Sequence, residues 1–165
     1  MRIFRRRLIL AVIAIMAVGA LVFAFGASGS GKRGRQGKLF ELSLAGSVLS
    51  DPPIHGVTRG GVPWDLKRGD AKLNRKGEFR LRVRRLVVAG TDNADGVTTI
   101  TASLFCAPDS NPTPAFTTGP VPLSSRGDAR IRQRVSVPAR CLAPVVLVHP
   151  NGNAARYITA SGWQL

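Results

Sequence analysis

The chain has 165 residues and a formal net charge of +15, with 44% hydrophobic and only 6% aromatic residues, 18 Gly, 11 Pro and two Cys. That length holds one domain and a short tether, and the apolar content is enough for a sizeable core. So many Gly and Pro with so few aromatics argue against long helices beyond the N-terminal region and for short strands between frequent turns.

Charge opens the chain. Met1-Arg2-Ile3-Phe4-Arg5-Arg6-Arg7 is cationic, and Leu8 to Phe25 then runs without a charged or polar side chain. A basic start followed by one apolar segment is an export signal. Eighteen apolar residues exceed a typical cleaved signal core and just reach the length that crosses a bilayer, so cleavage and retention both fit. Small residues at Ala24 and Gly26, or at Ala27 and Ser28, suit a signal peptidase. The arginine cluster would hold the N-terminus inside and place the rest outside, with residues 8–25 in the membrane if the leader is uncleaved. No Ser or Thr precedes Arg5-Arg6, against a twin-arginine route, and no Cys follows the apolar run, against a lipoprotein anchor. The four leader arginines leave 20 Lys and Arg against 9 Asp and Glu, a net of +11 for the remainder. A surplus of that size favours anionic partners, with a solubilising surface as the plain alternative.

Gly26 to Lys32 matches the spacing G-x-x-x-x-G-K, but Arg33 follows where a phosphate-binding loop needs Ser or Thr, and no strand or helix flanks it. A flexible basic linker explains it. The chain is therefore divided into residues 1–27, a signal peptide or signal anchor with an apolar helix; 28–38, the Gly/Ser linker; and 39–165, the folded domain.

From Leu39 the pattern alternates, with Phe40, Leu42 and Leu44 on one face of a first strand. Asp51-Pro52-Pro53 and Gly60-Gly61-Val62-Pro63 break the chain before a second extended stretch from Trp64 through Leu73. The turn Arg75-Lys76-Gly77 leads into Glu78 to Arg84, where Phe79, Leu81 and Val83 alternate with Arg80, Arg82 and Arg84. A polar turn over Asp92, Asn93, Asp95 and Gly96 precedes a strand from Val97 to Cys106. After a loop from Pro108 to Pro114 come a short strand near Val121 and Leu123 and a longer one from Ala129 to Val137. The latter again sets basic residues, Arg130, Arg132 and Arg134, on one face. Pro144 to Val148 and Tyr157 to Ala160 form the last two strands, separated by an Asn151-Gly152 turn. About eight short strands without a helix predict an all-β fold, an antiparallel β-sandwich, with a small barrel as the second choice. Trp64 and Trp163 are expected to cap opposite parts of the core.

Cys106 and Cys141 are the only cysteines, and in an exported domain an even count reads as a disulfide. Closing that loop stabilises a fold by about 3–4 kcal/mol in the chain-entropy account.

Three stretches together carry a resemblance: Gly60-Gly61-Val62-Pro63-Trp64, the strand from Gly77 to Leu86 ending in Arg-Arg-Leu, and Cys141 to Val148 closing on Tyr157 to Gly162. The layout resembles small secreted proteins of actinobacteria and related bacteria that carry no assigned activity. It covers residues from about Leu39 to the end and implies export and a β-sandwich, with no mechanism. Tyr157 stands where that group often has tryptophan.

No catalytic constellation emerges. His55 and His149 are the only histidines, too few for a metal without a carboxylate, and no G-x-S-x-G occurs. Asp65 with Asp70, or Asp92 with Asp95, are the carboxylate pairs open to glycoside chemistry; Asp92, Asn93 and Asp95 lack the further ligands of a calcium loop. The informative surface is the two arginine sets. Arg80, Arg82 and Arg84 point one way by the period of two, as do Arg130, Arg132 and Arg134. On neighbouring strands they would crowd one face, a repulsion that an anionic polymer relieves; on separate sheets each would be a plain solvated face. The expectation is an exported, non-enzymatic cell-envelope binding or structural module, secreted or membrane-anchored, without metal or cofactor, whose partner is an anionic polymer or another envelope component. A small extracellular enzyme is the alternative.

Overall fold

Turn chemistry sets the strand boundaries of this chain, whose computed structural model describes residues 37–106 and 111–163. The basic leader, its expected signal or anchor helix and nearly all of the linker lie outside the described residues, as do 107–110 and 164–165. Eleven strands follow in chain order: β1 (Lys38–Gly46), β2 (Thr58–Arg59), β3 (Trp64–Asn74), β4 (Glu78–Val88), β5 (Thr99–Phe105), β6 (Phe116–Thr117), β7 (Val121–Pro122), β8 (Ala129–Arg134), β9 (Val145–Pro150), β10 (Arg156–Tyr157) and β11 (Thr159–Ser161). There is no helix among the described residues.

The longest hairpin, β3–β4, closes at Asn74. Its side-chain oxygen accepts the backbone N–H groups of Lys76 and Glu78, both at 3.0 Å, and Gly77 supplies the left-handed φ of 78°. From there the register runs from Leu73 opposite Phe79 to Trp64 opposite Val88. One hydrogen-bonded sheet results, in the order β6-β5-β9-β11-β1-β3-β4-β8, with β7 also on β5 and every neighbour antiparallel.

The sheet curls until its ends meet. Phe116 of β6 packs edge-on against Phe79 of β4 with ring centroids 5.1 Å apart, and the Gly119 N–H donates to Gln133 Oε1 of β8 at 3.0 Å. Inside the curl lie Phe79, Leu81 and Val83 of β4, Ile100, Ala102 and Leu104 of β5, Ile131 of β8 and Val146 and Val148 of β9, all buried. Burying such a side chain stabilises by about 1.5–3 kcal/mol, so this interior is the main favourable contribution.

The segment that breaks the alternation after β1 covers a second face. Thr101, Ser103 and Phe105 of β5, with Leu147 and His149 of β9, point away from the main core and are still buried. Val57, Tyr157 and Ile54 pack there, the Tyr157 hydroxyl donates to the Pro52 carbonyl at 2.9 Å, and β2 runs parallel to β10. That pairing divides the last strand read from the sequence. Tyr157 turns to this second layer and Ile158 to the main core, so β10 and β11 are separate elements.

Cys106 and Cys141 are joined, tying the end of β5 to the segment before β9. Trp64 is buried, as expected for a core cap. Trp163 is not: it is 82% exposed and belongs to neither core cluster, because the chain leaves the sheet after Ser161.

Candidate polyanion interface

The six arginines singled out by alternation lie on one surface. β4 and β8 are neighbours, with Arg80 directly opposite Arg132, Arg82 opposite Arg130 and Glu78 opposite Arg134. The hairpin extends the rows onto β3, where Lys72 faces Arg80, Asp70 faces Arg82 and Arg68 faces Arg84, and β1 adds Glu41 beside Lys72. Strands lie about 4.8 Å apart and alternate residues along a strand about 6.7 Å, so the cations form a lattice with those two repeats. The inward partners of β4 are almost fully buried, which pins the register and holds the arginines outward.

Carboxylates offset only part of this lattice: Asp70, opposite Arg82, lies 3.8 Å from Lys72. Glu41 takes Lys38 at 2.7 Å and Lys72 at 2.6 Å; the Lys38 hydrogen bond and then that from Lys72 hold its carboxyl down at about 2. Arg80 lies 3.6 Å from Glu78. Among the described residues Arg82, Arg84, Arg130, Arg132 and Arg134 form no ion pair. Like charges directly opposite on adjacent strands repel, so an anionic ligand is favoured where two such pairs stand side by side.

At the end of the lattice, where β4 leaves β8, a cleft of about 700 Å³ is lined by Lys67, Arg68, Arg84, Arg85 and Arg126, with Asp92 and Asp128 as its acids. Arg85 holds Asp92 at 2.6 Å. Of the five cations only Arg84 was singled out from the sequence. The Arg75-Lys76-Gly77 turn implies that Arg68 sits opposite Arg84, a count along the hairpin that would have found it; nothing local marks Arg126.

The histidines do other work. His149 is fully buried: its Nδ1 donates to the Arg156 carbonyl at 2.7 Å and its Nε2 accepts from Ser103 Oγ at 2.9 Å, which lies 2.8 Å from Thr117 Oγ1. The spacing is that of a hydroxyl and its general base, but Ser103 is 1% exposed inside β5, where no substrate reaches it. Burial lowers the His149 pKa, opposed in part by its bond to the Arg156 carbonyl. His55 is also buried, stacked on Phe105 with ring centroids 4.8 Å apart and its Nδ1 3.0 Å from the Asn111 carbonyl. Both histidines serve the second layer, and no cluster of three metal-ligating side chains occurs among the described residues. In the Asp92 to Gly96 turn, Asn93 Oδ1 accepts the Asp95 N–H at 2.9 Å while Asp92 turns to Arg85, so backbone geometry accounts for these residues.

No protein-family model, curated protein or solved structure matches the chain.

Proposed function

We propose that this chain is an exported, non-enzymatic module of the cell envelope that binds an anionic polymer along the β3-β4-β8 face. The direct apposition of Arg80 with Arg132 and of Arg82 with Arg130 carries the reading. A polymer lying along the strands would meet an arginine about every 6.7 Å in two columns about 4.8 Å apart, a match for regularly repeated charge. The outward positions of this face are charged, and no aromatic residue stands among Arg68, Asp70, Lys72, Glu78 and the six arginines. Base stacking is therefore absent from the recognition, and simple repeated charge is favoured over single-stranded nucleic acid.

The basic leader and the apolar run from Leu8 to Phe25 support export, with the domain either released or anchored outside. The Cys106–Cys141 bridge suits an oxidising compartment. The resemblance to small secreted actinobacterial proteins points the same way. We read the curled sheet as a β-sandwich, in which β6, β7, β5, β9 and β11 form one layer and β1, β3, β4 and β8 the other; the shared interior of these two sets supports it.

The test is a titration of the full chain, in non-ionic detergent, against heparin, duplex DNA and an anionic wall polymer over a series of salt concentrations. Affinity should fall steeply and log-linearly with salt and be abolished when Arg80, Arg82, Arg84, Arg130, Arg132 and Arg134 are all changed to Gln in a protein that still melts cooperatively. Binding that ignores either salt or these substitutions would refute the assignment.

A further inference from the structure

The basic cleft is built differently from the arginine lattice beside it. Its floor is a held loop: Gly127 has a φ of 76°, and a Cβ there would lie 2.2 Å from the Leu86 carbonyl oxygen. Only glycine allows this approach, which lets the Leu86 N–H donate to the Gly127 carbonyl at 2.9 Å. The Arg85 N–H donates to Asp128 Oδ1 at 3.1 Å, and the Asp128 N–H to Ser124 Oγ at 3.0 Å. These bonds fix residues 124–128 against β4 and set Arg126 at the cleft.

Opposite, the alternation of β4 is interrupted. Arg84 and Arg85 are both exposed before Leu86 returns to the core, and Arg85 has a left-handed φ of 51°, which a side-chain-bearing residue rarely adopts. Strain of this kind concentrates where a chain is shaped for binding. The irregularity turns two successive arginines toward solvent at the mouth of this cleft.

Charge narrows the ligand. Five cations against two carboxylates leave the lining with a net +3, and Lys67, Arg68, Arg84 and Arg126 form no ion pair among the described residues. One carboxylate or sulfate ester carries a single charge, whereas a terminal phosphoryl group carries about −1.5 to −2 at neutral pH and offers three acceptor oxygens in a tetrahedral fan. Guanidinium forks approaching from several sides suit that fan. We propose that the cleft is a seat for a terminal phosphoryl group, mono- or diphosphate, at which the end of a phosphate-bearing polymer is captured before the chain runs onto the arginine lattice. The polymer part rests on the function proposed above; the phosphoryl seat stands without it.

Calorimetric titrations of the full chain with inorganic phosphate, inorganic diphosphate and linear polyphosphate test this, in wild type and two double variants. Lys67→Gln with Arg126→Gln touches the cleft alone, and Arg80→Gln with Arg132→Gln the lattice alone. Diphosphate should bind wild type and lose about 50-fold or more in the cleft variant, whose melting temperature stays unchanged because neither side chain has an ion-pair partner among the described residues, and stay within about twofold in the lattice variant. Absence of diphosphate binding at millimolar concentration, or equal loss in the two variants, would overturn the seat. Polyphosphate distinguishes the sources of the ligand: tighter binding than diphosphate, weakened in the lattice variant, marks a polymer end, while equal binding marks a free anion and removes the lattice reading with the cleft intact.

Discussion

His149 is a titratable group sealed from water, with both ring nitrogens committed. Nδ1 carries the proton given to the Arg156 carbonyl, so Nε2 must stay unprotonated to accept from Ser103. Protonation brings a charge into the second layer and breaks that bond, and desolvation lowers the folded pKa below the 6.5 of an exposed histidine. The unfolded chain therefore takes up the proton first. The stabilisation is fully present above about pH 6.5 and is lost as the pH falls from there toward the depressed folded value, with a slope of up to about 1.4 kcal/mol per unit. Urea midpoints measured between pH 7.5 and 5 should fall in wild type. His149→Gln should cost about 2 kcal/mol at pH 7.5 and lose most of this slope, since Gln fills part of the site without titrating in that range. A wild-type midpoint that is level across this range would contradict the neutral buried imidazole.

At the scale of elements, the pairing of β4 with β8 is where fold and candidate site coincide. Each strand was legible alone, because strict alternation of apolar and basic residues admits one reading. Their adjacency was not, because 40 residues separate them and the contact is made only when the chain has folded; no spacing rule reports that. The role of the segment from Ser47 to Pro63 was not legible for a related reason. Its prolines and glycines mark breaks correctly, but its role as a cover over Phe105, Leu147 and His149 depends on a parallel pairing of two residues with β10, below any sequence signal. Ser103 and Arg126 were missed because their surroundings are assembled from distant segments, and Lys67 and Arg85 because the left-handed backbone at Arg85 breaks the alternation that marked the other cations. The β4–β8 register makes a further prediction that needs no ligand. Arg132→Glu places a carboxylate opposite Arg80, replacing a repulsive pair by an attractive one, and should stabilise the fold by about 0.5 kcal/mol at low salt. Arg140→Glu, on an exposed segment outside the sheet, controls for the same change of two in net charge. Equal gains from both, read as urea midpoints, would mean that net charge and not the cross-strand pair is responsible.

For the whole molecule, the net charge of +15 makes the polyanion proposal one that thermodynamic linkage can test. The β3-β4-β8 face keeps its arginines in a repulsive array, while the opposite part of the sheet spends its outer surface on a second apolar layer bearing both histidines. A ligand that binds only the folded array stabilises by RT ln(1 + [L]/Kd), about 2.7 kcal/mol at a hundredfold excess over Kd, because the unfolded chain disperses the same arginines and loses their spacing. An anionic polymer should therefore raise the melting temperature at low salt by several degrees, and the rise should shrink toward zero as salt releases the polymer. Arg132→Glu should show the reverse order: a higher melting temperature alone and a smaller rise with polymer. If polymer instead lowers the melting temperature, it prefers the unfolded polycation, and the basic surface is a matter of composition and not of architecture.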